Sequence, residues 1–150
     1  MKIEQVTDAE TADACDELLT KLITDERETY NSNIPSDFTV SGWYRTTLSN
    51  TSRVTFAAVE AQQVVGFLHG FIKDDPAIQP EARLDAVFVE PAFRGQGIAG
   101  QFICQFQAWC RKKHIGFLDV SVWQQNHGAI ALYRKNGFTA GLQILRMKLS

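Results

Sequence analysis

Residues 87–100 combine a predicted strand, a turn with three glycines and the start of a predicted helix. The sequence there reads Val87-Phe88-Val89-Glu90-Pro91-Ala92-Phe93-Arg94-Gly95-Gln96-Gly97-Ile98-Ala99-Gly100. The first N–H groups of a helix lack partners inside the helix, and together with the helix dipole they attract phosphate oxygens. Glycine lets the backbone approach a ligand closely, and Arg94 can add a charge-assisted hydrogen bond. The turn therefore predicts a phosphate-binding site.

Two other interpretations of this turn stay open. Gly95, Gly97 and Gly100 also fit the G-x-G-x-x-G pattern of dinucleotide sites, and Asp119 follows at a spacing that suits the ribose-binding acid of such sites. That pattern, however, lies past the middle of the chain rather than in an early βαβ unit. A tight turn without a ligand is the second alternative. A P-loop is excluded because no GxxxxGK[ST] segment occurs.

The elements that must position this turn follow from hydrophobic spacing. Helices are predicted from a cap at Thr7 or Asp8 to about residue 30, and over residues 41–48, 97–113 and 128–135. Strands are predicted over residues 53–59, 64–72, 84–89 and 117–122, with a final strand region over 138–149. Strands that alternate with helices in the second half predict an α/β fold. A length of 150 residues fits one domain with one core.

Composition limits the class of protein. Apolar residues make up 45% and charged residues 21% of the chain, which is typical of a globular domain. The formal charge of −2 lacks the basic surplus of a general nucleic-acid coat. No apolar run is long enough to span a membrane, and the N-terminus lacks the apolar core of a signal peptide. Three cysteines without a CxxC pair predict reduced thiols in a cytoplasmic protein, no metal site, and buried side chains at Cys104 and Cys110.

Charge is distributed unevenly along the chain. Residues 1–40 contain ten acids and three bases, whereas residues 41–150 contain seven acids and twelve bases. An acidic N-terminal part and a basic remainder suit a cationic substrate and an anionic cofactor. Solvated helix faces that happen to differ in charge explain the same pattern equally well.

Two segments resemble motifs of the GNAT superfamily of acetyl-CoA-dependent N-acetyltransferases. Arg94, Gly97 and Ala99 match the motif [QR]-x-x-G-x-[GA] after a strand and a proline. The later motif N-x-x-A-x-x-x-Y-x-x-x-G-F is matched at Asn126, Ala129, Tyr133, Gly137 and Phe138. The order of elements also agrees, so the resemblance covers nearly the whole chain. It implies a single-domain GNAT-like acyltransferase fold for residues 1–150, with a mixed twisted sheet flanked by helices.

The resemblance also implies the contacts of acetyl-CoA. In the family, the pyrophosphate lies on the first motif and the pantetheine arm extends along the preceding strand like an added strand. An Asn at the start of the second motif commonly bonds the pantetheine arm. The expected contacts are Val87, Phe88, Val89, Arg94, Gly95, Gln96, Gly97, Ile98, Ala99, Gly100 and Asn126.

Tyr133 and Asp85 are the residues that the resemblance implies for proton transfer. Tyr133 corresponds to the general acid, which protonates or stabilises the thiolate that leaves when an amine attacks the thioester. Asp85 lies where several relatives carry a Glu that acts as general base through a water, and by simple alternation it should share a strand face with Val87. The shorter Asp favours a water relay or a substrate-binding role. A structural acid at Asp85 and a packing role for Tyr133 are the alternatives.

The amine acceptor is expected at the N-terminal helices and the loop between them. Glu26 can attract an ammonium group and Tyr30 can supply a cation–π contact, although plain solvation also explains a charged helix end. We expect direct acetyl transfer to a primary amine, whether a small amine, a polyamine or a peptide amine, in a ternary complex. An acyl-CoA-binding regulatory module without turnover is the alternative. Many relatives form homodimers, which is one option here, and neither a nucleic acid nor a membrane is expected as a partner.

Overall fold

The fold is known from a computed structural model, which describes residues 1–149. The chain begins with strand β1 (Lys2–Gln5), helix α1 (Ala9–Thr29) and a short 3-10 helix (Tyr44–Thr47). Three strands follow, β2 (Arg53–Glu60), β3 (Gln63–Ile72) and β4 (Glu81–Val89), and then a 3-10 turn (Pro91–Phe93). The last elements are α2 (Ile98–Lys112), β5 (Phe117–Val120) and α3 (His127–Lys135). Over residues 1–149, no helix combines the length and the apolarity that crossing a bilayer would require.

The five strands form one mixed sheet in the order β1-β2-β3-β4-β5. Neighbours from β1 to β4 are antiparallel, whereas β5 runs parallel to β4. Parallel neighbours need a long crossover connection, and α2 supplies it. The predicted α/β fold with a mixed sheet flanked by helices is confirmed.

Alternate side chains of the strands divide the core between the two faces of the sheet. One cluster, which we call the α2 face, includes Val54, Phe56, Leu68, Phe102 and Phe106. The opposite cluster, the α1 face, includes Ala12, Cys15, Leu18, Tyr44, Ala57 and Phe67. The sheet is therefore the middle layer between α1 on one side and α2 with α3 on the other.

An irregularity interrupts β4 at Asp85. Leu84 pairs with Gly70 and Ala86 pairs with His69, so Asp85 is an extra residue without a partner in β3. Leu84 packs on the α2 face and Ala86 on the α1 face, although both would share a face in a regular strand. This is a β-bulge, which redirects the side chains of the strand.

The bulge removes the basis of one prediction made from alternation. Leu84 and Val87 pack on the α2 face and Ala86 on the α1 face, so the regular alternation breaks at Asp85. The expected placement of Asp85 and Val87 on one face therefore no longer follows from alternation. A single extra residue exchanges the faces on which the following side chains lie, and the alternation in the sequence cannot reveal where such a residue is inserted.

Most of the other predicted elements are present with small changes at their ends. Asp8 caps α1, since its carboxylate accepts a hydrogen bond from the N–H of Thr11 at 2.9 Å. The helix expected over residues 41–48 is reduced to one 3-10 turn, and β1 is an additional short strand. Cys110 is buried as expected, but Cys104 is exposed, because it points away from the sheet on α2.

The final strand predicted over residues 138–149 is not formed. Residues 139–149, the C-terminal segment, contain no helix or strand, and their side chains are exposed. The exposed apolar side chains there are Leu142, Ile144, Leu145, Met147 and Leu149, at 77–89% of their surface. A strand needs a neighbour whose N–H and C=O groups are unpaired, and this segment pairs with no strand of residues 1–149.

Candidate active site

The turn between β4 and α2 presents a row of unpaired backbone N–H groups. Gly95 and Gly97 have φ values of 79° and 81°, in the left-handed region where a side chain is strained. Gly97 is the N-cap of α2 and has no side chain to cap the helix. The first helical bond runs from the N–H of Gln101 to the carbonyl oxygen of Gly97 at 3.1 Å. The N–H groups of residues 97–100 therefore donate to no acceptor in the described chain, and they suit an anion.

Arg94 is held in place beside this row. Its Nε–H donates to the carbonyl oxygen of Val89 at 2.7 Å, and its guanidinium lies over the ring of Phe88 at 5.3 Å from the centroid. Its two terminal nitrogens have no hydrogen-bond partner within residues 1–149. They are available to an anion bound at the helix start.

Strand β4 continues beyond its parallel neighbour. The pairing with β5 runs from Glu81 and Phe117 to Leu84 and Val120. Residues 86–89 are paired with β3 on one side, but no strand of the described chain covers their other edge. An extended ligand with amide groups can pair with such an edge through main-chain hydrogen bonds. Because this edge ends at the turn, one extended ligand that carries phosphates can reach both.

Helix α3 is fixed to α2 next to the turn. Gln107 of α2 donates its side-chain N–H to the carbonyl oxygen of Asn136 at 3.1 Å, and Asn136 lies beside Gly100. At the other end of α3, the side-chain oxygen of Asn126 accepts a hydrogen bond from the N–H of Ala129 at 3.1 Å. Asn126 is thus an N-cap, and its side-chain NH2 group has no protein partner among the described residues.

Tyr133 lies on α3 and packs on the α2 face, edge-on to Phe138 with 5.6 Å between the ring centroids. It is 9% exposed, and burial raises the pKa of its phenol to about 12. The phenol is therefore protonated at neutral pH. The hydroxyl of Tyr133 has no hydrogen-bond partner within residues 1–149. It is not among the side-chain atoms that are both unpaired and completely buried, so a ligand can reach it.

Asp85 lies at the bulge, where the open edge of β4 begins. Although the residue is exposed, nearby protein atoms still displace water from its carboxyl group. This desolvation raises the pKa of the carboxyl group, while the charges of Arg53 and Arg83 oppose the rise. A carboxylate with a raised pKa is a stronger base. Tyr133 packs on the α2 face, whereas Asp85 lies at the start of the open edge of β4.

A buried polar group on β3, His69, pairs with Ala86 next to the bulge. His69 is fully buried, with Nδ1 2.8 Å from Oγ1 of Thr55 and Nε2 3.2 Å from Nη1 of Arg53. Because arginine can only donate, Nε2 accepts and Nδ1–H donates to Thr55. Burial and the charge of Arg53 lower the pKa of His69 to about 3, so its ring is neutral. This neutral ring holds Arg53 in the region of Asp85.

The two residues expected at the acceptor site, Glu26 and Tyr30, meet at Trp123. The indole N–H of Trp123 donates to Oε1 of Glu26 at 2.7 Å. The rings of Tyr30 and Trp123 are stacked, 6.3 Å apart and inclined by 9°. The end of α1 is thereby joined to the loop between β5 and α3. Sequence reasoning missed Trp123, because only the fold brings it to residues so distant along the chain.

A separate depression of about 370 Å³ lies between α1 and residues 40–45. Its buried carboxylate, Asp16, accepts hydrogen bonds from the N–H groups of Trp43 at 3.1 Å and Tyr44 at 3.0 Å. Asp13, at its rim, pairs with Arg45. Asp16 and Asp13 thus have partners within the chain and fix the 3-10 helix to α1.

Comparisons with known proteins agree with this geometry. Residues 16–138 match the model of the acetyltransferase (GNAT) family. The chain is 30% identical over 98 residues to the spore coat polysaccharide biosynthesis protein SpsD of Bacillus subtilis (strain 168), which covers 65% of this chain and 32% of that protein. The chain thus spans about one third of that relative.

Two solved structures share the fold. An aminoglycoside N-acetyltransferase, AAC(6')-Iy in complex with CoA, superposes with a TM-score of 0.73 at 20% identity, covering 99% of both chains. A tetramutant of the BH1408 protein from Bacillus halodurans gives a TM-score of 0.83 at 14% identity, covering 99% of this chain and 100% of that one. At these identities the likeness concerns the fold.

Proposed function

The chain belongs to the acetyltransferase (GNAT) family, and from this premise we propose that it transfers an acetyl group from acetyl-CoA directly to a primary amine. The observation that carries the proposal is the row of unpaired N–H groups at residues 97–100, next to the open edge of β4. A molecule with both phosphates and an extended amide arm fits that combination. In this proposal residues 1–150 act as one N-acetyltransferase domain in the cytoplasm, where the three free cysteines stay reduced.

Each part of acetyl-CoA has a matching group in this proposal. The N–H groups of the turn, from Gly95 to Gly100, and the guanidinium of Arg94 bind the pyrophosphate. The main chain of residues 87–89 pairs with the pantetheine arm, and the unpaired side-chain NH2 of Asn126 donates to the same arm. These assignments place the thioester near the open end of the strand, where Asp85 lies.

The reaction requires a proton to leave the amine and another to reach the sulfur. Asp85, directly or through a water, takes a proton from the ammonium group so that the nitrogen can attack the thioester carbonyl. The C–N bond forms and the C–S bond breaks. The nitrogen then releases its second excess proton to water, and the departing thiolate, to which Tyr133 donates a hydrogen bond, takes up a proton from water. Because the pKa of Tyr133, about 12, exceeds that of a thiol, about 8.5, stabilisation of the thiolate contributes more than complete proton transfer.

The acceptor approaches from the acidic end of α1. Glu26 and Tyr30 lie there together with Trp123, and a carboxylate beside aromatic rings suits a protonated amine. The neighbouring fold of an aminoglycoside N-acetyltransferase supports a small-molecule amine as the acceptor rather than a macromolecule. A polyamine and a sugar amine both fit this description.

A second copy of the chain is the partner that we propose for the C-terminal segment. The segment exposes five apolar side chains, and β5 has one unpaired edge within residues 1–149, with Phe117 exposed over 71% of its surface. Pairing of the segment with β5 of another copy would cover both. Light scattering after gel filtration should therefore give the mass of a dimer, and removal of residues 142–150 should give a monomer.

The proposed activity is tested by following the release of free thiol from acetyl-CoA with a panel of amines. Spermidine, a sugar amine, a lysine peptide and an N-terminal peptide should be compared side by side, with CoA binding measured on the same sample by calorimetry. Turnover with the small amines is expected. Binding of CoA without turnover on any amine would favour the regulatory module, and absence of CoA binding would refute both.

A further inference from the structure

The ring of Trp123 already carries a cation from its own chain. The guanidinium of Arg146 lies over the indole at 5.4 Å from the ring centroid. Its Nη2 donates to Oδ1 of Asn31 at 3.1 Å. Arg146 belongs to the exposed C-terminal segment, and within residues 1–149 this is the segment's one side-chain hydrogen bond to the rest of the chain. The contact shows that a cation is accommodated at this ring.

The indole is held firmly for such a contact. Glu26 fixes its N–H and Tyr30 stacks with it, so the ring cannot turn away without losing both interactions. The half-buried carboxylate of Glu26 accepts only this neutral N–H and forms no salt bridge with the described residues. A fixed aromatic ring beside an unneutralised carboxylate is an arrangement that binds organic cations.

Two further features make the region favourable for positive charge. The site lies at the C-terminal end of α1, which ends at Thr29, and the partial negative charge of a helix C-terminus attracts cations. Asp25 and Glu28 add negative charge on the same turn of the helix, opposed by Arg27 alone. The field therefore favours a cation over a neutral group at Trp123.

We propose that Trp123, Glu26 and Tyr30 form a subsite for a second positive charge of the acceptor, and that Arg146 is its displaceable occupant. This inference rests on the proposed acetyl transfer and narrows its substrate class to diamines and polyamines. One amine of the acceptor is acetylated, and the other cationic group replaces the guanidinium of Arg146. Release of Arg146 frees the C-terminal segment from its polar contact with the body of the protein.

The first test measures binding of hexamethylenediamine by calorimetry without acetyl-CoA, so it does not depend on turnover. Arg146→Ala should tighten binding about fivefold, because the competing cation is gone. Lys148→Ala removes the same charge from the same segment without a ring contact, and it should change the affinity by less than about twofold. Unchanged or weaker binding in Arg146→Ala would overturn the proposal.

Substitutions of the subsite residues themselves should weaken binding of the diamine, whereas Arg146→Ala should tighten it. Glu26→Gln keeps an acceptor for the indole N–H but removes the charge, and Trp123→Leu removes the ring. Each should weaken binding of the diamine about fivefold. Trp43→Leu is the matched control, because Trp43 is another half-exposed tryptophan outside the subsite. Equal affinities of wild type and Glu26→Gln would also overturn the proposal.

Turnover separates this inference from the proposed function. Hexamethylenediamine should be acetylated with a higher kcat/KM than aminohexanol, which has the same chain length and a single amine, and Glu26→Gln should bring the two values together. If no amine is acetylated but the binding results hold, the acetyl transfer is wrong and the cation subsite stands. If both amines are acetylated equally well and the variants bind like wild type, the subsite is wrong and the acetyl transfer stands.

Discussion

Arg94 donates its Nε–H to the carbonyl oxygen of Val89 at 2.7 Å, across the turn that joins β4 to α2. This hydrogen bond directs the other two guanidinium nitrogens before any ligand arrives. Little side-chain freedom is then lost on binding, although a free arginine carries about 2 kcal/mol of rotamer entropy. The strand that is proposed to pair with the pantetheine arm thus also orients the side chain that is proposed to bind the pyrophosphate.

Replacement of Arg94 should therefore weaken acetyl-CoA binding with little effect on the chemical step. Arg94→Ala should raise the KM for acetyl-CoA about tenfold, since hydrogen bonds to charged groups contribute about 1.5–3 kcal/mol, and Arg94→Lys should lie between. Steady-state kinetics measures both values. Arg111→Ala, at the other end of α2, is the control, and an equal effect there would point to general charge rather than to a fixed contact.

The left-handed conformation of Gly97 gives a second prediction. A Cβ at Gly97 would meet no atom within 4 Å, but its φ of 81° strains any side chain, by about 1–2 kcal/mol. Gly97→Ala should therefore disturb the N–H row and weaken CoA binding about tenfold, measured by calorimetry. Gly116→Ala, which has the same open space without a left-handed φ, should bind CoA like wild type.

Tyr133→Phe separates catalysis from packing. The phenol hydroxyl has no protein partner within residues 1–149, and the ring packs in the α2 face, so thermal unfolding should be nearly unchanged. Loss of the donor should lower kcat about 100-fold while the KM for the amine stays the same. An unchanged kcat with an unchanged melting temperature would leave Tyr133 only the packing role.

Asp85→Asn should reduce activity but increase stability at neutral pH. Desolvation raises the pKa of this carboxyl, so the folded state favours the protonated form. The stability that this group contributes is fully present at low pH and is lost as pH rises through the raised pKa. The melting temperature of the variant should therefore exceed that of wild type at pH 8 and equal it at pH 3. Its kcat/KM should no longer rise with pH as Asp85 loses its proton in wild type. Lower stability at pH 8 would indicate a structural acid.

His69 should make the protein sensitive to mild acid. Its pKa is lowered to about 3 from an ordinary value of 6.5, so the unfolded state binds more protons between these values. The free energy of unfolding should fall by about 1.4 kcal/mol per pH unit below pH 6.5 and be constant above it, as far as His69 is concerned. Urea unfolding at pH 7, 6 and 5 measures the slope. His69→Gln should remove it, whereas the exposed His127→Gln should not.

Sequence reasoning succeeded where the signal is local. The glycine spacing at Gly95 and Gly97 marks a strand, a turn and a helix start within one short segment, and the structure has all three. The cap at Asp8 is a local signal in the same sense. The family motifs then connect these local signals to one fold, and the family match confirms that connection.

Sequence reasoning failed where the answer depends on distant partners. The bulge at Asp85 exists because β3 and β4 differ in register, which no alternation within β4 records. Trp123 reaches Glu26 only through the fold. Residues 138–149 have the alternation of a strand, but a strand forms only when it pairs with a neighbour. In residues 1–149 this segment pairs with no strand, although one edge of β5 is unpaired.

The parallel pairing of β4 and β5 affects how well the folded protein resists proteolysis. Only four residue pairs join these strands. They close a long loop that contains all of α2, and closing a long loop costs chain entropy. In the monomer, where no second copy covers β5, amide hydrogens of Phe117–Val120 should exchange early, since this edge can open without unfolding the antiparallel strands. Because a ligand along β4 and the start of α2 would oppose that opening, supply of cosubstrate should slow proteolysis and lengthen the lifetime of the protein.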